Sequence, residues 1–268
     1  MTTTQAELLP ATEPGMVRAV LDPGHTYLRE HRVQGRCVLP GVVWLELAVR
    51  AGQRPRTTVA GIMDAAWLRP VHGDEPLDEL ALTLSDAAGD AVDYTVTNRG
   101  RLCGMGTLRY RDEDRAPAVP LAVRDRICEH TRSHLTRSEI YTEFAAMGID
   151  YGPYFRRITY VQRHEQTSLA WLSHNDGTRL DLVNLLDCSF QAGMAISIGE
   201  HRDSLMPYSM GHMAFHVPPR TPVTSAFVLT VKHSPFRTSL TVYDEDYAPL
   251  ISVYDLGVKP AIREGEAR

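Results

Sequence analysis

Cysteines, basic runs and long apolar runs are scarce in this chain, and each scarcity excludes a class of protein. Only four cysteines occur among 268 residues and none forms a CxxC pair, so neither a zinc site nor a disulfide framework is predicted. The net charge is −5 and no basic run is present, which argues against a nucleic-acid partner. No apolar run approaches the roughly 20 residues that span a bilayer. The N-terminus also lacks the basic-then-apolar order of a signal peptide, so we expect a cytoplasmic protein without a membrane segment.

What the sequence does contain is one pattern that occurs twice, a buried helix followed by strands. The first helix begins at Leu39-Pro40-Gly41 and shows almost no polar face before Gly52. Alternating apolar residues around 80–84 and 92–96 predict strands behind it. A second apolar helix is predicted near 185–198, again with strands behind it. We therefore predict an α+β fold in which a curled antiparallel sheet wraps one helix, made twice and joined side by side.

The boundaries of these units follow from composition and from a helix start signal. A charged, proline-containing stretch separates the halves and predicts a linker. Thr136 and Glu139 have the spacing of a capping box, which predicts a helix at the start of the second unit. The predicted parts are a flexible tail over 1–12, a first unit over 13–112, a linker over 113–135, a second unit over 136–262 and a tail over 263–268.

A histidine stands ahead of the first buried helix. Gly35 follows His31 and permits a close backbone approach, and Pro40 suits the first helical turn because its missing N–H would have no partner there. The N–H groups near Gly41 would attract an oxygen that carries developing negative charge. A base beside such donors suits removal of a proton α to a carbonyl. The alternative is that His31 is a surface histidine or a satisfied core histidine. Glu46 is expected to pair with Arg50 on the single solvated edge of this helix.

The second apolar helix carries a carboxyl group and an amide one turn apart. Asp187 and Gln191 share a face among leucine, phenylalanine and methionine side chains. Burial there would raise the pKa of Asp187 and suit it to act as a general acid, with Gln191 holding the carboxyl in one rotamer. The alternative places Asp187 on a solvated edge beside the helix start.

Two further segments are candidates for lining a pocket. Tyr151-Gly152-Pro-Tyr-Phe155 follows a glycine that ends a helix, and it forms a rigid aromatic turn. Met206-Pro207-Tyr-Ser209 is a similar but weaker case. The alternative for both is a packed turn without function.

Taken together, these segments resemble the dehydratase domains of modular polyketide synthases. His31, Gly35 and Pro40 match the HxxxGxxxxP motif without a gap. The other three motifs follow in family order, and the resemblance runs from about residue 13 to 262. The matching segments are Tyr151-Gly152-Pro-x-Phe155 for YGPxF, Asp187-xxx-Gln191 for DxxxQ and Met206-Pro207-Tyr-Ser209 for the LPxS-like segment.

The resemblance implies a double hotdog fold and the elimination of water from a β-hydroxyacyl thioester. In this family the substrate is held on the phosphopantetheine arm of an acyl carrier protein within polyketide biosynthesis. By the same likeness, His31 removes the α-proton and Asp187 protonates the departing hydroxyl, while Gln191 orients Asp187. The N–H near Gly41 would polarise the thioester carbonyl, and Tyr151 would contact the β-oxygen. No metal or bound cofactor is implied, and a homodimer is a further expectation.

The chain departs from the family pattern in two ways. Leu182 and Val183 occupy the positions where the family usually has His-Pro ahead of the aspartate. This difference affects the backbone at the start of the second helix. The chain also begins at a methionine, so a free-standing protein is expected, with an excised domain as the alternative.

Three other functions stay open at this stage. A cyclase that closes an oxygen ring on an enoyl thioester would retain both His31 and Asp187. A double-bond isomerase usually lacks the aspartate, so Asp187 counts against it. A non-catalytic acyl-binding scaffold would need neither group.

Overall fold

A computed structural model describes residues 7–11, 15–22, 24–55, 57–77, 80–86, 90–110, 118–173, 179–200 and 203–261. The helices are α1 Thr26–Arg29, α2 Gly41–Ala51, α3 Ala122–His130, α4 Arg137–Ala146 and α5 Leu182–Ala195. The strands are β1 Glu7–Pro10, β2 Met16–Val20, β3 His31–Val33, β4 Arg36–Cys37, β5 Gly61–Trp67, β6 Leu80–Asp86, β7 Ala91–Asn98, β8 Arg101–Arg109, β9 Ser133–Thr136, β10 Ile149–Tyr151, β11 Ile158–His164, β12 Thr167–Ser173, β13 Leu205–Phe215, β14 Ser225–Ser234, β15 Arg237–Tyr243 and β16 Pro249–Pro260.

The two predicted halves share one continuous antiparallel sheet. Thirteen described strands lie in the order β1-β2-β6-β7-β8-β5-β13-β16-β15-β14-β12-β11-β9, six from the first half and seven from the second. The halves join where β5 pairs with β13, for example at Ala65 and Met210. Each half wraps one long buried helix, α2 or α5, and these two helices contact each other at the centre. The α+β arrangement predicted from the repeated pattern is confirmed.

The first long helix contains an ion pair that was predicted at the surface but is buried. Pro40 is the N-cap and the helix begins at Gly41, one residue after the predicted start. Glu46 does pair with Arg50, at 3.4 Å, but the predicted solvated edge is wrong because Glu46 is only 4% exposed. Burial raises the pKa of Glu46 to about 7. An i,i+4 ion pair usually marks a helix surface, but here Glu46 is buried, and Asp181 and Arg220 of the second half act on its carboxyl group.

The segments predicted to be an N-terminal tail and a linker contain strands and a helix in their described residues. The predicted tail over 1–12 contains β1, which pairs with β2. The predicted linker over 113–135 contains α3 and most of β9. Ile127 of α3 packs with Leu169 and Phe227 on the outer face of the sheet, so this stretch belongs to the second half. The tail predicted over 263–268 lies outside the described residues. Among the described residues, no helix is both long enough and apolar enough to cross a membrane.

Candidate active site

A cavity of about 720 Å³ lies between the two halves, and it receives side chains from both motif-bearing helices. Five of the ten predicted site residues line it: His31, Gly41, Tyr151, Asp187 and Pro207. The other five, Gly35, Pro40, Gly152, Phe155 and Gln191, are outside the lining set. The structure therefore separates residues that face the cavity from residues that hold those in place.

His31 is a buried histidine with a defined tautomer. Its Nδ1 lies 2.9 Å from the carbonyl oxygen of Val38, and a carbonyl oxygen only accepts, so Nδ1 carries the proton. Nε2 is then the nitrogen that takes up a proton. Burial lowers the pKa of His31 to about 4, against a smaller opposite effect of the Val38 carbonyl. His31 is therefore neutral at pH 7, the form required of a general base.

A small three-stranded sheet brings the second half of the chain to His31. In the pairing of β3 with β10, Tyr151 lies directly opposite His31. The two rings meet edge to face with centroids 5.4 Å apart, and Phe155 contacts the same imidazole at 5.7 Å. This strand pairing thus brings together two motifs that lie more than a hundred residues apart in the sequence. The turn between β3 and β4 has positive φ at Gln34 (51°) and Gly35 (79°), the backbone of a type I′ hairpin.

The prediction that Gly35 permits a close backbone approach is wrong. A Cβ atom at Gly35 would meet nothing within 4 Å. Glycine is favoured here because the backbone has a positive φ, and not because another segment approaches closely.

Glu30, which the sequence analysis did not single out, anchors the aromatic turn. Its carbonyl accepts from Gly152 N at 2.7 Å, and its carboxylate accepts from Tyr154 N at 2.6 Å. A Cβ atom at Gly152 would lie 2.6 Å from Cβ of Glu30. Gly152 is therefore needed for the close approach of two segments of the backbone, because its φ of −84° is open to any residue.

We expect Gly152→Ala to destabilise the protein by about 1–3 kcal/mol, because the methyl group overlaps Glu30 and forces the turn away from β3. Urea unfolding followed by circular dichroism measures this difference. A variant within about 0.5 kcal/mol of wild type would show that the turn relaxes freely and that the Glu30 contact is not tight.

Asp187 lies inside the second half and not on a solvated edge. It is 7% exposed, and its Oδ2 accepts a hydrogen bond from Gln191 Nε2 at 2.7 Å. Burial raises the pKa of Asp187 to about 7, while the Gln191 hydrogen bond lowers it by a smaller amount. The carboxyl group therefore keeps a large protonated fraction near neutral pH.

Gln191 is fixed by a network that the sequence did not reveal. Its Nε2 also donates to the carbonyl of Phe155 at 3.1 Å, and its Oε1 lies 3.1 Å from the Tyr141 hydroxyl. These contacts settle which end of the amide faces Asp187. Tyr141 comes from α4, the helix that begins with the capping box of Thr136 and Glu139.

We expect Gln191→Leu to raise the pKa of Asp187 further, because the hydrogen bond that favours the carboxylate is lost. The descending alkaline limb of the activity profile should move to higher pH, and kcat should fall as the carboxyl loses its fixed rotamer. Steady-state rates across pH measure both, the alkaline limb from kcat/KM and the fall from kcat. An unshifted limb with normal kcat would contradict the positioning role.

Trp67 explains why a glycine begins helix α2. Its indole Nε1 donates to the carbonyl of Gly41 at 2.9 Å, and a side chain at Gly41 would overlap the indole ring. Gly41 and Val42 both line the cavity. Because the first N–H groups of a helix have no partner within it, this end of α2 is suited to an oxyanion. Trp67 was missed because its partner lies 26 positions away in sequence.

No cluster of three or more His, Cys, Asp or Glu suited to a metal occurs in the described part of the chain. The cavity wall instead carries His31 and the carboxyl group of Asp187 among Val42, Trp67 and Phe190. Its other polar side chains belong to Gln34, Arg36, Arg69, His72, Tyr151, Ser204 and Lys259. This arrangement suits proton transfer to and from an acyl chain.

Comparison with known families and proteins agrees with this geometry. A family model described as the polyketide synthase dehydratase domain matches residues 5–99. A second, described as the polyketide synthase dehydratase N-terminal domain, matches residues 121–268. The chain is 28% identical over 229 residues to polyketide synthase ThaG of Burkholderia thailandensis, covering 77% of this chain and 4% of that protein. It is 25% identical over 203 residues to polyketide synthase PksN of Bacillus subtilis, covering 69% of this chain and 4% of that one. The chain thus spans about 4% of the length of these curated relatives.

Solved structures show the same fold at low sequence identity. The dehydratase domain from the CurK module of the curacin polyketide synthase has a TM-score of 0.78 and 17% identity, with 98% of this chain and 99% of that chain covered. The dehydratase domain of RzxB from Pseudomonas fluorescens has a TM-score of 0.74 and 22% identity, with 91% and 94% covered. From the matched family models and this shared double hotdog fold, the chain belongs to the polyketide synthase dehydratase family.

Proposed function

We propose that the protein eliminates water from a β-hydroxyacyl thioester carried by an acyl carrier protein in polyketide biosynthesis. One observation carries this proposal: His31 and Asp187 line the same cavity, and the pKa of the histidine is lower than the pKa of the aspartate, the reverse of their ordinary order. Burial lowers the pKa of His31 to about 4 and raises that of Asp187 to about 7. Near neutral pH the histidine is therefore ready to accept a proton and the carboxyl group to give one.

The proton transfers balance within one turnover. His31 Nε2 removes the α-proton, and the electrons of the C–H bond form the α,β double bond. As the β-carbon–oxygen bond breaks, the hydroxyl group takes the proton of Asp187 and leaves as water. The cycle ends with a protonated His31 and an ionised Asp187, which exchange protons with solvent before the next turnover.

Charge on the thioester oxygen is stabilised at the start of α2. The N–H groups near Gly41 face developing negative charge with the positive end of the helix dipole behind them. Burial holds the pKa of Tyr151 well above its ordinary value, so its hydroxyl stays protonated and is suited to donate to the β-oxygen. Since the thioester itself acidifies the α-carbon, we propose no metal and no bound cofactor. The partner is the carrier protein of a polyketide synthase.

Turnover of a 3-hydroxyacyl pantetheine thioester tests the proposal, with the product followed by mass spectrometry. Formation of the enoyl thioester by the wild-type protein supports dehydration. An unchanged 3-hydroxyacyl substrate together with ring closure of a hydroxy-enoyl analogue would favour a cyclase. Binding without a mass change in either substrate would refute an enzyme function.

A further inference from the structure

Asp181 caps the second long helix and also binds the aromatic turn of residues 151–155. Its Oδ1 accepts from the backbone N–H of Asn184 at 2.8 Å, the usual hydrogen bond of an N-cap residue. Its Oδ2 accepts from the hydroxyl group of Tyr154 at 2.6 Å. The side-chain amide of Asn184 donates in turn to the carbonyl of Tyr154. Two hydrogen bonds therefore join the start of α5 to one residue of the turn.

Tyr154 also contacts the segment that carries His31. Its backbone N–H donates at 2.6 Å to the carboxylate of Glu30, the residue directly before His31. Tyr154 is therefore bound on one side to the segment of the histidine and on the other side to the helix of Asp187. Neither Tyr154 nor Asp181 lines the cavity, so this connection acts on the reaction without contact to the acyl chain.

The position of Asp187 depends on how α5 lies against the turn. Asp187 follows the N-cap residue by six positions, about 9 Å along the helix axis. Beyond Asp187 in the sequence, the carbonyl of Phe155 accepts from Cys188 Sγ at 3.2 Å and from Gln191 Nε2 at 3.1 Å. The turn thus holds the helix on both sides of Asp187. Because backbone hydrogen bonds make a helix rigid, a shift of its start moves Asp187 relative to His31.

The hydrogen bond between Tyr154 and Asp181 is suited to prevent such a shift. Its length of 2.6 Å is typical of a hydroxyl group bound to a carboxylate, a stronger type of hydrogen bond than one between neutral groups. Burial, with a smaller contribution from Asp181, raises the pKa of Tyr154 well above its ordinary value, so the hydroxyl stays a donor at neutral pH. A displacement of about 1 Å at a reacting group can lower a rate about 10²-fold, so this bond matters to catalysis.

Building on the proposed function, we propose that Tyr154 and Asp181 are positioning residues, whose hydrogen bond holds α5 so that Asp187 stays aligned with a substrate that His31 deprotonates. The pair acts through Asp187 and does not touch the substrate. Loss of the bond therefore lowers kcat and leaves KM nearly unchanged, because the cavity wall keeps its side chains.

Tyr154→Phe tests this role, because it removes the hydroxyl group and keeps the ring. With a 3-hydroxyacyl pantetheine thioester, we expect kcat for dehydration to fall roughly 5- to 50-fold. KM should stay within about twofold of the wild-type value. In an Asp187→Asn background, the same change should alter kcat by less than about twofold, because the acid that the bond positions is already absent.

Asp181→Ser separates the contact with Tyr154 from the helix cap. Serine is about as good an N-cap residue as aspartate, but its side chain is too short to bind the Tyr154 hydroxyl as well. Its kcat should fall as in Tyr154→Phe, and the two changes together should cause no further loss. Tyr243→Phe is the matched control, because that hydroxyl is buried and donates to the carbonyl of Val119 on the outer face of the sheet. Its kcat should equal that of wild type.

The results separate a positioning role from a purely structural one. An equal loss from Tyr154→Phe in the wild-type and Asp187→Asn backgrounds overturns the inference, because a smaller folded fraction or a displaced His31 lowers both rates alike. Wild-type kcat in Tyr154→Phe or in Asp181→Ser also overturns it. A wild-type protein that does not dehydrate the substrate refutes the proposed function and the inference together, whereas either earlier result beside normal wild-type turnover refutes the inference alone.

Discussion

Replacing Asp187 with asparagine is expected to lower kcat for dehydration by about 10²- to 10⁴-fold, the usual contribution of a positioned general acid. The change keeps the size of the side chain and removes only the proton that the departing hydroxyl needs. Gln191 still donates to the remaining oxygen, so the rotamer is kept. Steady-state formation of the enoyl thioester measures the loss.

Unfolding does not explain such a loss, and the sign of the pH dependence shows why. Burial raises the pKa of Asp187 to about 7 in the folded protein. The stability that this group contributes is therefore present below its unfolded pKa of about 4 and is lost as pH rises through about 7. Asp187→Asn has no charge to bury, so above pH 7 it should be at least as stable as wild type.

Asp150→Asn is the matched control, because Asp150 is exposed on β10 beside Tyr151. Its kcat should stay near the wild-type value. Normal kcat in Asp187→Asn, or an equal loss in Asp150→Asn, would contradict the assignment of Asp187 as the acid.

His31→Ala is expected to reduce kcat by a similar 10²- to 10⁴-fold, because it removes the imidazole that the Val38 carbonyl holds in one tautomer and that burial keeps neutral. The alanine leaves a space next to Tyr151 and Phe155. Added imidazole should restore part of the rate in a concentration-dependent way. The measurement is enoyl thioester formation with and without imidazole.

The control for this change is His134→Ala, because His134 is an exposed residue of β9. It should retain normal kcat and show no response to imidazole. A His31→Ala protein that folds normally and keeps more than a tenth of the wild-type rate would show that another group removes the α-proton.

Local patterns predicted the elements better than the contacts between them. Pro40 and Gly41 placed the start of α2 within one residue, and Thr136 with Glu139 predicted a capping box that the structure contains. Both signals act within one turn of a helix, so the neighbouring residues determine them.

Contacts between residues far apart in the sequence could not be predicted from local patterns. The pairing of Tyr151 with His31 depends on the register between β3 and β10. Trp67 lies on β5 and contacts Gly41 at the start of α2. Glu46 was misplaced for the same reason: its ion pair is local, but its burial comes from distant parts of the chain. The four motifs predicted candidate site residues, whereas only the fold separates those that line the cavity from those that do not.

The pH dependence of kcat/KM tests most directly whether a neutral His31 and a protonated Asp187 form the acid–base pair, because this quantity reports the ionisations of the free enzyme. The account predicts a bell-shaped profile that rises near pH 4, where His31 loses its proton, and falls above about pH 7, where Asp187 loses its own. The residual activity of Asp187→Asn should lack the alkaline limb. A wild-type rate that increases through pH 7 and levels off above it would mean that Asp187 acts as a carboxylate, which contradicts its role as the acid.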